Sequence, residues 1–342
     1  MGTSKIALVA YDAGPCASLQ PVADALGDRA IPLLADPAKT EISNDQLLDA
    51  VHRADILLVG MSSEPNNALE LHAINLAHEL MKKVVGFSDT FGAYGRAGFR
   101  KSRPLSGMLV GTMAEVSDAA RVLKGTRVVS TGNPAWDVFV RSGLPQEEAR
   151  SALGLGRDDK LIFISGTKKP AVNIPMIEMT LRAAEIADSF GMLVVMYGRH
   201  PRDKTDHADY EAAAARYHMP LRFLTGYKAD DVVSAMSAVV FPGNGSIGLH
   251  AAIRGKGRIA VIDCPFPGID SYLAGENVPP DMTLRAQGMS YRPTSLEDYA
   301  TTLRNVANGN DAIACRPLPD FVNIKPGQAT KRIIEALDGY QL

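Results

Sequence analysis

Cysteine is scarce: Cys16, Cys264 and Cys315 are the three in 342 residues. They are odd in number and far apart, which excludes a disulfide framework and gives no zinc spacing. Cys16 follows a strand pattern and reads as a small quiet residue. Charge of one sign is also lacking. Against 36 Lys and Arg stand 38 Asp and Glu, for a net charge of -2. No electrostatic case for nucleic acid or an anionic membrane surface follows. No apolar run is long enough to span a membrane. The N-terminal residues pass directly into an apolar run at Ile6, so no signal peptide is expected and the cytoplasm is the expected compartment. The glycines of a dinucleotide fingerprint are missing as well. Tyr11-Asp12-Ala13-Gly14-Pro15 follows the first apolar run, and its single glycine argues against a dehydrogenase.

What is present is ordinary globular material, 46% hydrophobic and 22% charged, in a length sufficient for two α/β domains. Near-continuous apolar runs, the pattern of buried parallel strands, occur at 5–10, 54–60, 83–87, 107–111 and 127–131. Helical patterns separate them at 19–26, 45–53, 68–82 and 113–123. A short charged helix between glycines, within 142–159, reads as a connection between domains. A second series has strands at 161–164, 192–196, 221–224, 238–241 and 258–262. Its helices are at 174–189, 207–217, 229–236, 247–254 and 296–307, and a last amphipathic helix covers 330–337. The stretch 265–292 is rich in Pro and Gly and reads as irregular. Alternating strands and helices predict parallel sheets covered by helices. The expected domains are 1–145 and 146–325, with 326–342 a C-terminal helix that packs back on the first.

The most informative stretch is 238–253. An apolar run ends at Phe241, and a loop of Gly243, Asn244, Gly245 and Ser246 leads into a helical pattern. Such a turn points backbone N–H groups at one spot and suits a phosphate. The plain alternative is a glycine-rich turn that binds nothing.

Several segments, taken in order, resemble the GT-B architecture. That is the pair of Rossmann-like domains, with a cleft between them, found in many nucleotide-sugar glycosyltransferases and in the non-hydrolysing UDP-GlcNAc 2-epimerases. Thr131-Gly132-Asn133-Pro134 with Asp137 is similar to the segment that ends the first domain in that family. The run 161–167 resembles the opening strand and turn of the second domain, and Tyr197-Gly198-Arg199-His200-Pro201 the strand-end His-Pro of wall and capsule polymer transferases. The run 223–227 resembles the loop against the nucleotide base, and 243–250 lies where the family binds the donor diphosphate. Residues 86–100 resemble a segment of capsule-type members. His250 stands about where many members carry an acid for the ribose. The N-terminal Gly-Thr-Arg-Pro-Glu of the epimerases is absent, and so is their acidic pair after the glycines. The resemblance therefore favours a transferase over an epimerase, hydrolase or idle binding protein.

Sugar transfer needs the leaving diphosphate neutralised and the acceptor hydroxyl deprotonated. The resemblance and the strand-end positions imply a nucleotide site of Gly166, Thr167, Lys168, Arg199, Gly226, Tyr227, Gly243, Asn244, Gly245, Ser246 and His250. Asp12 and Asp89 are the candidate bases, each directly after a strand, with Glu64 on a strand-end loop a third, and His200 is a candidate donor to phosphate or sugar. Turn capping is the alternative for both aspartates. Gly14, Glu64, Tyr94 and Arg96 form the expected acceptor side, while Glu70 and Glu79 read as helix-surface acids. Asp203, Asp206, His207 and Asp209 read as a solvated helix start, not a metal site. No cofactor or metal is expected. The implied partners are a nucleotide-activated donor and a sugar or metabolite acceptor, with oligomeric state open.

Overall fold

The computed structural model describes residues 4–35, 42–64, 66–188, 191–243, 245–275, 284–286, 288–309 and 327–340. Its contacts divide into two units, 1–140 with 320–342, and 141–319.

The first unit runs β1 (Ile6–Ala10), α1 (Ala13–Leu26), β2 (Ala30–Leu34), α2 (Asn44–Arg53), β3 (Ile56–Gly60), α3 (Ala68–Glu79), β4 (Lys83–Phe87), α4 (Ala97–Arg100), β5 (Gly107–Val110), α5 (Ala114–Val122), β6 (Arg127–Ser130) and α6 (Pro134–Phe139). All six strands are parallel, in the order β2-β1-β3-β4-β5-β6. Both faces are buried, which explains the unbroken apolar runs. On one face Ala7, Val9, Leu57 and Val59 pack with Leu47, Val51, Ala73 and Ile74 of α2 and α3. On the other, Ile6, Leu8, Ile56 and Leu58 pack with Leu19, Val22 and Leu26 of α1. Each Val, Leu or Ile among them contributes about 1.5–3 kcal/mol by leaving water.

The apolar-run reading does not find β2. Pro32 interrupts its pattern, and the strand is only half-buried. It sits at the sheet edge, where the missing N–H of proline is tolerated. Helix α1 also starts six residues earlier than its apolar periodicity, at Ala13.

The second unit runs α7 (Gln146–Ala152), β7 (Lys160–Ser165), α8 (Pro170–Ala187), β8 (Leu193–Gly198), α9 (His207–Ala214), β9 (Leu221–Phe223), α10 (Ala229–Val232), β10 (Met236–Phe241), α11 (Ser246–Gly255), β11 (Ala260–Asp263), α12 (Ile269–Gly275) and α13 (Leu296–Ala307). Its parallel sheet has the order β11-β10-β7-β8-β9. The 265–292 stretch, expected to be irregular, contains α12 and a single bridge from Tyr291 to Ile262. The charged segment after Arg141 is tied into this unit: Leu144 N–H donates to Asp231 O at 2.8 Å, and Arg254 donates to the carbonyls of Ser142 and Leu144.

The final helix, α14 (Ala329–Asp338), belongs to the first unit. Ile333 and Leu337 join the α1 face of its core. Asp137 accepts from Gly327 N–H at 2.6 Å and Ala329 N–H at 2.8 Å, which seats the start of that helix. Among the described residues no helix is long and apolar enough to cross a membrane.

Each sheet has one point where strand order reverses: between β1 and β3, and between β7 and β10. Ligands of open α/β sheets bind beyond the carboxyl ends of strands at such points.

Candidate functional site

In the first unit the reversal is built by the loops after β1, β3 and β4. Asp12 follows β1, but its carboxylate is engaged by the β3–α3 loop. Oδ2 accepts from Ser63 N–H and Oγ, both at 2.7 Å, and Oδ1 accepts from Asn66 Nδ2 at 2.7 Å. It makes no side-chain cap on α1. It is a clamp between two loops, which neither the base reading nor the turn-cap reading anticipated.

Asp89 is placed differently. Its Oδ1 is sealed from solvent with no hydrogen-bond partner among the described residues. Desolvation raises its pKa to about 6. Arg96 opposes that rise, and the charge of Asp12 adds to it. Gly14 sits against it: a Cβ there would lie 2.5 Å from Asp89 Oδ2. Asn133 holds the backbone by donating from Nδ2 to Asp89 O at 2.7 Å. Its Oδ1 caps α6 through Ala135 N–H at 2.9 Å, with Pro134 at the first helical position. The Thr131–Pro134 motif therefore positions Asp89 and starts a helix.

Two further acids come from helices. Glu70 was expected on a helix surface, but it is fully buried. It accepts from Tyr11 N–H at 3.0 Å and from Ser62 Oγ. Burial raises its pKa to about 7 against those hydrogen bonds. The charged residue in an otherwise apolar stripe was the available signal. Glu115 is equally buried and accepts from Gly92 N–H at 3.3 Å and Thr112 N–H at 3.1 Å. Burial raises its pKa to about 8. Nothing in the local sequence distinguishes it from a surface acid.

The expected acceptor side divides. Arg96 donates to Met61 O and stands close enough to Asp89 to act on its charge. Glu64 is exposed and accepts from Gly98 N–H at 3.2 Å. Tyr94 belongs to the core, its hydroxyl donating to Asp118 at 2.9 Å, so it faces no acceptor.

In the second unit the loops after β7 and β10 flank the reversal point, the loop after β8 lies one strand further on, and the β10 loop leads into α11. Gly243 has φ +69, the left-handed region, and a Cβ there would strike Leu273. Its N–H donates to Asp263 Oδ1 at 2.7 Å, so this donor of the expected cradle is already used. Asp263 is fully buried, and Arg292 binds its other oxygen through Nε at 2.7 Å. Desolvation still leaves the Asp263 pKa raised. Gly248 lets α11 start beside the strand, since its Cβ would stand 2.6 Å from Phe241. Gly248 and Leu249 N–H already bond to Gly245 O. Among the described residues the N–H groups of Ser246 and Ile247, first-turn donors that a helix does not satisfy itself, meet no backbone acceptor. Asn244 lies outside the described residues, as does Cys315.

The turn after β7 is braced from below. A Cβ on Gly166 would meet the Tyr197 hydroxyl. Thr167 N–H donates to Asn173 Oδ1 at 2.7 Å, and Asn173 Nδ2 donates to Thr167 O at 2.9 Å and Asp203 Oδ2 at 3.1 Å. Tyr210 donates to the same Asp203 oxygen at 2.6 Å. Asp203 is buried, not part of a solvated helix start as expected. Burial would raise its pKa, but bonds from Tyr210 and Thr205 outweigh this and hold it low. Asp206 does begin α9, accepting from Ala208 N–H at 3.2 Å.

Lys168 follows this braced turn. Arg199 is exposed and donates to Thr205 O at 3.0 Å. His200 Nδ1 accepts from Arg202 N–H at 3.0 Å, so the neutral ring carries its proton on Nε2. Burial, with Arg202 and Lys168, lowers its pKa and favours that neutral form. Gly226 has φ +76, and Tyr227 is exposed.

His250, which could face the ribose or pack inside, is packed inside in this unit. It is fully buried, and Nδ1 pairs with Asp230 Oδ1 at 2.8 Å. It aims a carboxylate of α10 instead of presenting its own ring. The 227–231 segment, Tyr-Lys-Ala-Asp-Asp, carried that acid in plain view. Among the described residues no group of three His, Cys, Asp or Glu could hold a metal ion.

No family model and no curated protein matches the chain. Solved structures do. UDP-GlcNAc 2-epimerase from Neisseria meningitidis, bound to UDP-GlcNAc, is 12% identical with a TM-score of 0.64, covering 98% of this chain and 100% of that one. Anabaena HepE, in complex with UDP and glucose, is 14% identical at 0.57, covering 98% and 100%. Spinosyn rhamnosyltransferase SpnG, complexed with thymidine diphosphate, is 14% identical at 0.55, again covering 98% and 100%. The fold is therefore the pair of Rossmann-like units shared by these epimerases and glycosyltransferases.

Proposed function

We propose that the protein is a nucleotide-sugar enzyme, and specifically a transferase that moves a sugar from a nucleoside diphosphate to an acceptor hydroxyl. One observation carries this reading: the chain combines a helix start at the reversal point of one unit with a desolvated carboxyl of raised proton affinity beside the reversal point of the other.

The second unit holds the donor. Ser246 and Ile247 N–H groups meet the diphosphate at the start of α11. Lys168, Arg199 and the Nε2 proton of His200 offset the charge that grows on the leaving oxygen. Asp230, aimed by His250, takes the part of the missing helix acid toward the ribose. In the first unit Asp89 is the base. With a pKa of about 6 it is mostly ionised at neutral pH and still basic enough to accept a proton. The acceptor O–H bond breaks toward Asp89 as its oxygen bonds the anomeric carbon. The anomeric C–O bond breaks with its electron pair retained by the diphosphate.

A second reading is epimerisation of the sugar on its nucleotide. The overlap with the Neisseria meningitidis epimerase, higher than with HepE or SpnG, supports it. So do the buried acids Glu70 and Glu115, which keep protons near neutral pH. Incubation of UDP-GlcNAc in D2O without acceptor separates the two. Deuterium at sugar C2 with an inverted product establishes epimerisation. Calorimetry with UDP, CDP, GDP and TDP tests the shared premise, and absence of binding by all four overturns it.

A further inference from the structure

We propose that the second unit carries a separate anion site at the amino-terminal edge of its sheet, for a small, multiply charged, phosphate-bearing molecule. The site is a hollow of about 940 Å³ where β7 and β10 begin and α11 ends. Strands of about six residues place it roughly 20 Å from the carboxyl edge of the same sheet. Ser237, Met236, Ile259 and Val306 contribute to its lining.

Its charge is one-sided in a chain that is nearly neutral overall. Arg150, Arg157, Lys160, Arg254, Lys256 and Arg258 line it, against the single carboxylate of Glu147. Two of the six have local structural duties. Arg150 donates to the carbonyls of Gly156, Arg157 and Asp159, and Arg254 to those of Ser142 and Leu144. Arg157, Lys160, Lys256 and Arg258 form no ion pair among the described residues. The nearby Asp159 is occupied in its own turn, accepting from Gly156 N–H at 2.7 Å. Like charges gathered in one concavity repel and focus a positive potential there, and an anion relieves that repulsion.

The backbone adds an independent observation. Lys256 has φ +47, one of two non-glycine residues in the left-handed region among those described. It stands between Gly255 and Gly257 at the end of α11, a position that favours glycine. A lysine there carries strain that a third glycine would remove, so its cation is kept in the lining at a cost in stability. The concave shape decides between sources of phosphate. A half-enclosed hollow admits a small soluble molecule and keeps a flat bilayer out.

The test uses tripolyphosphate and the full chain, and it does not depend on the function proposed above. Methyl-labelled methionine NMR reads Met236 inside the hollow. A saturable shift of Met236 is expected, weakening as salt rises. Removing three cations in R157Q/K256Q/R258Q weakens that shift at least about tenfold and leaves Tm within a few degrees of the parent. K256G is the second variant: it raises Tm while weakening tripolyphosphate, which separates loss of charge from loss of fold. An unmoved Met236, or a triple variant that binds as tightly as the parent, overturns the site. Co-sedimentation with phosphatidylglycerol vesicles but not phosphatidylcholine vesicles, with no response to tripolyphosphate, overturns the soluble ligand.

Discussion

Gly14→Ala isolates the role of Asp89 without touching it. The new Cβ would stand 2.5 Å from Asp89 Oδ2, whereas an ordinary contact begins near 3.4 Å. The carboxylate must retreat by about 0.9 Å, because the helix backbone at position 14 is the less mobile partner. Misplacing a reacting group by about 1 Å costs on the order of a hundredfold in turnover. Stability moves the other way: alanine in place of glycine in the first turn of α1 gains up to about 1 kcal/mol, against the cost of moving Asp89. The expected variant keeps its Tm within a few degrees, keeps nucleotide affinity and loses turnover by about a hundredfold. Release of nucleoside diphosphate measures the rate, and calorimetry measures the affinity. In an Asp89→Asn background the same change has no further effect on rate, since both act through one group. Turnover within about threefold of the parent would refute Asp89 as the proton carrier and, with it, the reading of Gly14 as its spacer.

Glu115→Gln tests the buried acid through pH. The folded pKa of about 8 lies above the ordinary value of 4.5. The folded state therefore holds its proton while the unfolded chain loses it, and stability falls as pH rises between those values. Gln lacks this slope, so urea melts of parent and variant should diverge by roughly 4 kcal/mol from pH 4.5 to 8, on top of a constant offset from the lost hydrogen bond. Parallel curves would show that Glu115 is ionised in the fold. Asp137→Ala removes the acceptor of two backbone N–H groups at the start of α14. We expect a loss of about 2–4 kcal/mol and accelerated hydrogen exchange at Ala329, with exchange in β7 and β8 unchanged.

The sequence alone determined the fold class. Unbroken apolar runs mark parallel strands buried on both faces, and that signal is local enough to read from neighbours in the chain. It also located the loop after β10 and the Thr131–Pro134 turn, because glycine and proline announce backbone geometry directly. It misread β2, where Pro32 breaks the apolar run of an edge strand. Tertiary structure decided which polar side chains do what. Asp12 and Asp89 look alike in sequence, each just beyond a strand. Contacts from Ser63 and Asn66 turn the first into a clamp, and burial against Gly14 lifts the proton affinity of the second. His250 could face ribose or pack inside on its sequence alone, and the fold buries it against Asp230. Gly243 promised a free donor, and Asp263, twenty residues on, consumes it. These outcomes rest on partners far away in the chain. Desolvation and pairing are properties of the packed neighbourhood, and no spacing rule along one strand or helix encodes them.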